Sequence, residues 1–206
     1  MSTLETNLIQ PATGTALTVG ASGDTITVPS GATFNVAGTL QSGGSAITQG
    51  ITQAQQWRIT SGFTFSTVQD IDSNWEISDA TGYGSIGSNL TQSSGIFTFP
   101  STGYYLIMAT FNFRRATNER GVGGNINATT NNSSYAVVSS VEVNNSDVGG
   151  ADNTTYAGSC QAIFDVTDTA NVKFKLTIQT SGSDQTCDGD TSRNYTGFVC
   201  VRLGDT

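Results

Sequence analysis

The sequence predicts an all-β fold, with a stretch of short strands over residues 1–50 and a β-sandwich or jelly-roll head over residues 51–206. Three observations carry that prediction. The 206 residues include 24 Gly, with Ser, Thr and Asn abundant and only 12% charged, a composition rich in turn and strand formers. Runs with apolar residues at alternate positions recur after Trp57, about eight of them in roughly 150 residues, separated by turn-rich segments. No long stretch shows the apolar spacing of an amphipathic helix.

Residues 1–50 carry Glu5 and Asp24 as their only charges. Short apolar pairs recur there at i, i+2: Leu17/Val19, Ile26/Val28 and Phe34/Val36, then Leu40, a loose repeat at offsets of six to nine residues. Strands this short cannot bury such pairs within one chain, whereas three copies wound about an axis can turn each pair inward. The alternative is a disordered Gly/Ser/Thr linker, which has no reason to carry periodic Leu, Val, Ile and Phe. Ala46–Trp57 reads as a short helix or hinge weakened by Gly50. Trp57–Val68 reads as the first strand of the head, Asn74–Ile77 as a second, and Thr81–Gln92 as a Gly/Ser-rich turn region.

Ser94–Phe113 organises the head. It contains a short strand (Ile96–Phe99), a turn (Pro100–Gly103) and a longer strand (Tyr104–Phe113). Pro100 presets φ and cannot donate to a ladder, while Gly103 can take a positive φ. Alternation puts Tyr105, Ile107, Ala109, Phe111 and Phe113 on one side. The other side carries Tyr104, Leu106 and Met108 before turning polar at Thr110 and Asn112. A sandwich strand normally keeps one face wet. This second apolar face needs a cover, and Tyr104, Leu106 and Met108 are therefore expected at a subunit interface.

Beyond Phe113, Arg114–Ser134 reads as a long polar loop. Strands are expected at Tyr135–Val143, Tyr156–Val166, Val172–Gln179 and Tyr195–Leu203. Cys160, Ala162, Phe164 and Val166 share one face, as do Val172, Phe174, Leu176 and Ile178, with Lys173 and Lys175 outward. Antiparallel succession then puts the 114–134 loop at one end of the head and the 144–155 loop at the other, with 180–194 beside the latter. Loops on a rigid sandwich are the usual place for binding. Asn89, Asn127, Asn131, Asn132, Asn144, Asn153 and Asn194 all fit N-x-Ser/Thr and read as loop residues in an Asn-rich chain.

Several functions are disfavoured by composition. A formal charge of −8 argues against nucleic acid, whose binding depends on neutralising phosphate. The chain has no His, which removes imidazole bases, Ser-His-Asp and Cys-His constellations and His-ligated zinc. A glycan-cleaving enzyme needs paired carboxylates across a groove, and no convincing pair is visible. The three cysteines, Cys160, Cys187 and Cys200, are expected to be reduced, with a Cys160–Cys187 bridge as the alternative. No basic region and apolar run open the sequence, so no signal peptide is expected, and no run approaches the length of a membrane span. At 36% hydrophobic the chain is lean for a monomer, which favours burial between subunits.

Two clusters are candidate ligand sites. Arg114, Arg115 and Arg120 form a possible grip for a phosphate- or carboxylate-bearing glycan, or else pair with nearby acids. Asp184, Asp188 and Asp190 have a spacing that could ligate calcium, although the closing Glu of an EF-hand is missing and the loop can equally be wet. No cofactor is implied.

The pattern Phe97-x-Phe99-Pro100-x-x-Gly103-x-Tyr105 resembles the signature of complement-type globular heads, in the jelly-roll superfamily shared with tumour necrosis factor. The resemblance continues in order through Val141–Asn145, Asp168–Phe174 and Thr196–Val199, and spans about residues 57–204. Residues Pro11–Thr33 resemble spacers in structural proteins of tailed bacteriophages. Together these imply a homotrimeric virion protein with a stalk first and a jelly-roll head last. The implied role is a non-enzymatic tail fibre or adhesin bound to other virion proteins through its N-terminal region and touching a host-surface glycan or protein. A capsid-decorating or head-fibre trimer is the alternative. The chain departs from the family in lacking a collagen-like or coiled-coil stalk and in its long 114–134 segment.

Overall fold

In the computed structural model of the chain, the period-two apolar pattern becomes two antiparallel sheets, each turning its apolar face to the other. The structure describes residues 14–15, 18–42, 45–46, 50–115, 121–144, 154–182 and 184–206. The chain divides into two compact units, Met1–Ile47 and Thr48–Thr206.

In the first unit, the one strand pairing among the described residues joins β1 (Gln41–Ser42) to β2 (Ser45–Ala46). Upstream, extended segments alternate with tight turns. Asp24 N donates to Ala21 O and Ala32 N to Pro29 O, both at 3.0 Å, with Gly23 (φ 94°) and Gly31 (φ 84°) in the third turn position. That position needs a positive φ, which Gly takes without strain. The repeat is thus stricter than its apolar pairs suggest: ASGDTITV (Ala21–Val28) and PSGATFNV (Pro29–Val36) coincide in turn, glycine and apolar positions. Val19, Ile26, Val28, Phe34, Val36 and Leu40 are all exposed in the single chain. Leu17 lies outside the described residues.

The head opens with β3 (Ala54–Ile59), β4 (Phe63–Phe65), β5 (Gln69–Asp70) and β6 (Trp75–Ile77). The central stretch supplies β7 (Thr91–Ser93), β8 (Ile96–Thr98) and β9 (Gly103–Arg115). Then come β10 (Gly121–Thr129), β11 (Ala136–Asn144), β12 (Thr155–Val166), β13 (Lys173–Thr180), β14 (Gln185–Cys187) and β15 (Gly197–Gly204). The first sheet runs β4-β14-β9-β15-β3-β6, with β12 along the other edge of β9. The second runs β11-β10-β13-β8-β7, with β5 also on β13. Gly103 turns the chain into β9 with φ 139°.

Phe97 is the hub of the core. Its ring meets Phe198 at 4.7 Å, Trp75 at 5.1 Å and Trp57 at 5.3 Å, all edge-on, and stacks on Phe174 at 5.1 Å. Edge-to-face pairs suit the ring quadrupole and add to the area they bury. Tyr105, Ile107, Ala109, Phe111 and Phe113 all face this core, as the alternation in β9 requires.

Four sequence expectations are corrected. Ala54–Trp57 is strand, not helix or hinge, and no helix occurs among the described residues. The alternation there is carried by glutamines: Gln53 and Gln55 are buried, and Gln55 Oε1 accepts the Trp57 indole N–H at 2.9 Å. Trp57–Val68 is two strands, because Gly62 packs against Cys187 O and Phe63–Phe65 pairs with β14. The polar segment 114–134 is no loop, since Gly121–Thr129 lies between β11 and β13 in the second sheet. Asn127 is consequently a buried strand residue, and Asn144 ends a strand.

That missed strand also reverses the loop assignment. Every strand after it runs opposite to the expected direction. Arg114 pairs with Thr155, while Gly121 pairs with Asn144 and Ser181 N donates to Gly121 O. The flanks of 116–120, 145–153 and 181–184 therefore share one end of the head, and 180–182 does lie beside Asn144.

Candidate self-association face and polar sites

The outward face of the first sheet is built by three strands. In register, Leu106 lies between Ile163 of β12 and Val201 of β15, and Met108 between Gln161 and Val199. Tyr104 is paired with Asp165. Ile163 is 65% exposed, Tyr104 40% and Met108 37%, with Leu106, Val199 and Val201 half-buried. Polar residues bound this apolar stripe: Gln56 and Gln161 laterally, Thr110 and Ser159 above. No third layer covers it among the described residues. A contiguous apolar patch with a polar rim is the usual anatomy of an interaction surface.

Farther along the same face the sheet is closed by its own chain, through a residue that sequence reasoning missed. Arg58 is fully buried. Its Nε meets Glu76 Oε1 at 2.7 Å, and its Nη2 meets Asp79 Oδ1 at 2.6 Å and the carbonyl of Thr191. The clamp ties β3 to β6 and to the 188–196 segment. The available signal was a lone basic residue beside Trp57 opposite the acid of Trp75-Glu76-Ile77.

Arg114 pairs within its own chain while its side chain stays half exposed. Its Nη2 lies 2.5 Å from Asp188 Oδ1, the acid 7% exposed and the base 46%. Burial pushes the Asp188 carboxyl above its ordinary value, and Arg114 pulls it part of the way back. Only the backbone of Arg115 is described, paired with Gln185, and Arg120 lies outside the described residues.

The three aspartates do not converge. Asp188 is taken up by Arg114. Asp190 caps its own turn, with Oδ1 accepting from Ser192 N and Oγ at 2.7 Å and from Arg193 N at 3.1 Å. Those bonds, Ser192 foremost, hold its carboxyl below the ordinary value. Asp184 is exposed. Among the described residues no three His, Cys, Asp or Glu side chains form a metal-sized group.

All three cysteines are free thiols, each buried on a different strand. Cys187 contacts Thr196 Oγ1 and Cys200 contacts Gln53 Oε1, and burial pushes both thiols up to about 12.

No protein-family model matches the chain, and no curated protein sequence is similar to it. Solved structures are similar in fold. Eiger TNF from S. frugiperda matches with a TM-score of 0.51 at 14% identity, over 74% of this chain and 93% of that one. Murine APRIL at pH 8.5 matches at 0.47 and 13% identity, over 73% and 98%. The head is thus a jelly roll of the tumour necrosis factor type, a statement about fold alone.

Proposed function

We propose that this chain is a non-enzymatic structural protein of a phage particle, a homotrimeric tail fibre or adhesin. The N-terminal unit is the attachment and stalk region, and the jelly-roll head meets the host surface. The observation that carries the reading is the uncovered apolar stripe centred on Leu106 and Met108, on a chain only 36% hydrophobic. The octad repeat supports it independently. Ile26, Val28, Phe34 and Val36 are exposed in a nearly uncharged segment whose other copies are the natural cover. The virion setting rests on the resemblance of Pro11–Thr33 to phage spacers. Three heads on one stalk add weak contacts by avidity, so no single site need be deep.

Light scattering on the full chain tests the assembly. A mass three times the 21.4 kDa chain supports the trimer, and a lone chain at micromolar concentration overturns it. Gold-labelled antibody on intact particles tests the location. Label on the tail supports the adhesin, whereas label on the shell makes it a capsid-decorating trimer.

A further inference from the structure

The outward face of the second sheet carries a polar array that neither the core nor the self-association face uses. Asn125, Asn127 and Thr177 point outward from β10 and β13 yet are buried, and both asparagines donate across the strands to Thr177 Oγ1. Ser140 Oγ donates to Asn125 Oδ1 at 2.6 Å, which fixes the orientation of that amide. Asn125 Nδ2 then donates to Thr177 Oγ1 at 3.2 Å and to Gln179 Oε1 at 3.4 Å.

The consequence appears one row along the sheet. Gly123 is paired with Glu142 on one side and Gln179 on the other, and its missing side chain leaves a gap between them. Across that gap Gln179 Nε2 donates to Glu142 Oε1 at 3.0 Å. With Gln179 Oε1 held by Asn125, the second amide hydrogen and the other carboxylate oxygen form an adjacent donor and acceptor. They border a cleft of about 370 Å³ whose further walls include Val68, Gly121, Asn144 and Ser181. That volume sits at the lower end of the roughly 300–1,000 Å³ of small-ligand sites. Val68 is largely exposed and gives the cleft an apolar wall.

Among the described residues the lining contains one carboxylate and no Lys or Arg, which disfavours an anionic ligand. Adjacent hydroxyls of a sugar ring stand about one hydrogen-bond length apart. One can donate to Glu142 while its neighbour accepts from Gln179, with a C–H face of the ring against Val68. We propose that this cleft is a saccharide site for a neutral, hexose-sized unit of an uncharged glycan, read by Glu142 and Gln179 and positioned by Asn125. The inference rests on the head being a host-surface-binding module and departs from an arginine grip on acidic glycans.

The test is a glycan array probed with the full chain, with free neutral monosaccharides as competitors at millimolar concentration. Neutral glycans are expected to bind. Glu142→Ala and Gln179→Ala should each weaken that binding about tenfold or more, and Arg114→Ala should leave it unchanged. Both side chains of the pair lie at the surface, so circular dichroism and oligomeric mass of the variants should match the parent. Neutral binding indifferent to both variants, binding confined to sialylated or phosphorylated glycans, or no glycan bound at all would each overturn the site. A trimer that labels the tail yet binds only acidic glycans or a protein receptor removes this inference and leaves the adhesin reading standing.

Discussion

The backbone of Gly124 lies against the ring of Phe111, so close that a Cβ there would stand 2.4 Å from the ring's Cγ. The two sheets meet at this point, and Phe111 also stacks on Phe113 at 6.1 Å. Neither partner can yield, since the ring is fully buried and Gly124 is paired on both sides. Gly124→Ala should therefore destabilise the head by about 2–3 kcal/mol through overpacking, read as a lower denaturant midpoint at unchanged slope. Gly204→Ala, with open space at its Cβ, is the control and should be near neutral.

Arg58 predicts an ordered series. The guanidinium is fully buried, Glu76 is 31% exposed and Asp79 is 78% exposed. Arg58→Ala empties a fully buried site and removes the shared partner of two acids and a carbonyl, and should cost about 3 kcal/mol or more, the scale of large-to-small changes at buried positions. Asp79→Ala loses a largely solvated contact and should cost under about 1 kcal/mol. Glu76→Ala should fall between. Chemical denaturation of the three variants checks the order, and an Arg58 variant no weaker than the Asp79 variant contradicts the clamp.

Much of this head was legible in the chain because its core is written in aromatic residues at strict alternation. Phe97, Phe99, Tyr105, Phe111, Phe174 and Phe198 all face inward as their spacing requires. What stayed hidden was coded by residues with two meanings. Gly121, Gly123, Gly124, Asn125 and Asn127 spell a loop by composition, yet the glycines make room for a ring and for a side-chain pair, and both asparagines donate to Thr177 Oγ1 on the neighbouring strand. That one strand changes the parity of every later one, so the error spread from a local segment to the choice of which loops share an end. Gln53 and Gln55 hid the start of β3 in the same way. The Arg114–Asp188 contact links residues far apart in sequence and had no local signal.

Asp188 yields a pH prediction. Its carboxyl is raised above the ordinary value of 3.8, with burial the larger cause and Arg114 opposing it. Between 3.8 and the raised value the folded chain holds this proton more firmly than the unfolded chain does. This group's contribution to stability thus falls as pH rises through that window. Asp188→Asn removes the buried charge and keeps an oxygen for Arg114, which is half exposed and loses under about 1 kcal/mol of attraction. The variant should match or exceed the parent in melting temperature at neutral pH, and the difference should shift toward the parent on acidification. A variant gaining on the parent as pH falls contradicts the assigned shift.

The thiols should be silent in the native protein. Burial pushes Cys187 and Cys200 up to about 12 and raises Cys160, so little thiolate exists at neutral pH and access is blocked. A disulfide reagent should modify no cysteine in the native state and all three after unfolding in guanidinium. Fast native labelling of one thiol would show that its strand opens locally.

Met108 separates self-association from folding. In one chain its side chain is already 37% exposed, so Met108→Asp should change monomer stability little. In an assembly closed on this stripe, the same carboxylate would be buried beside Val199 and Leu106, once per subunit. Val137→Asp is the control, an apolar position at the edge of the other sheet that is 56% exposed in the single chain. Light scattering should find the Met108 variant dissociated and the Val137 variant assembled like the parent, with both giving the parent's circular dichroism. The opposite pattern moves the seam to the β11 edge, and dissociation by neither places it wholly in the octads.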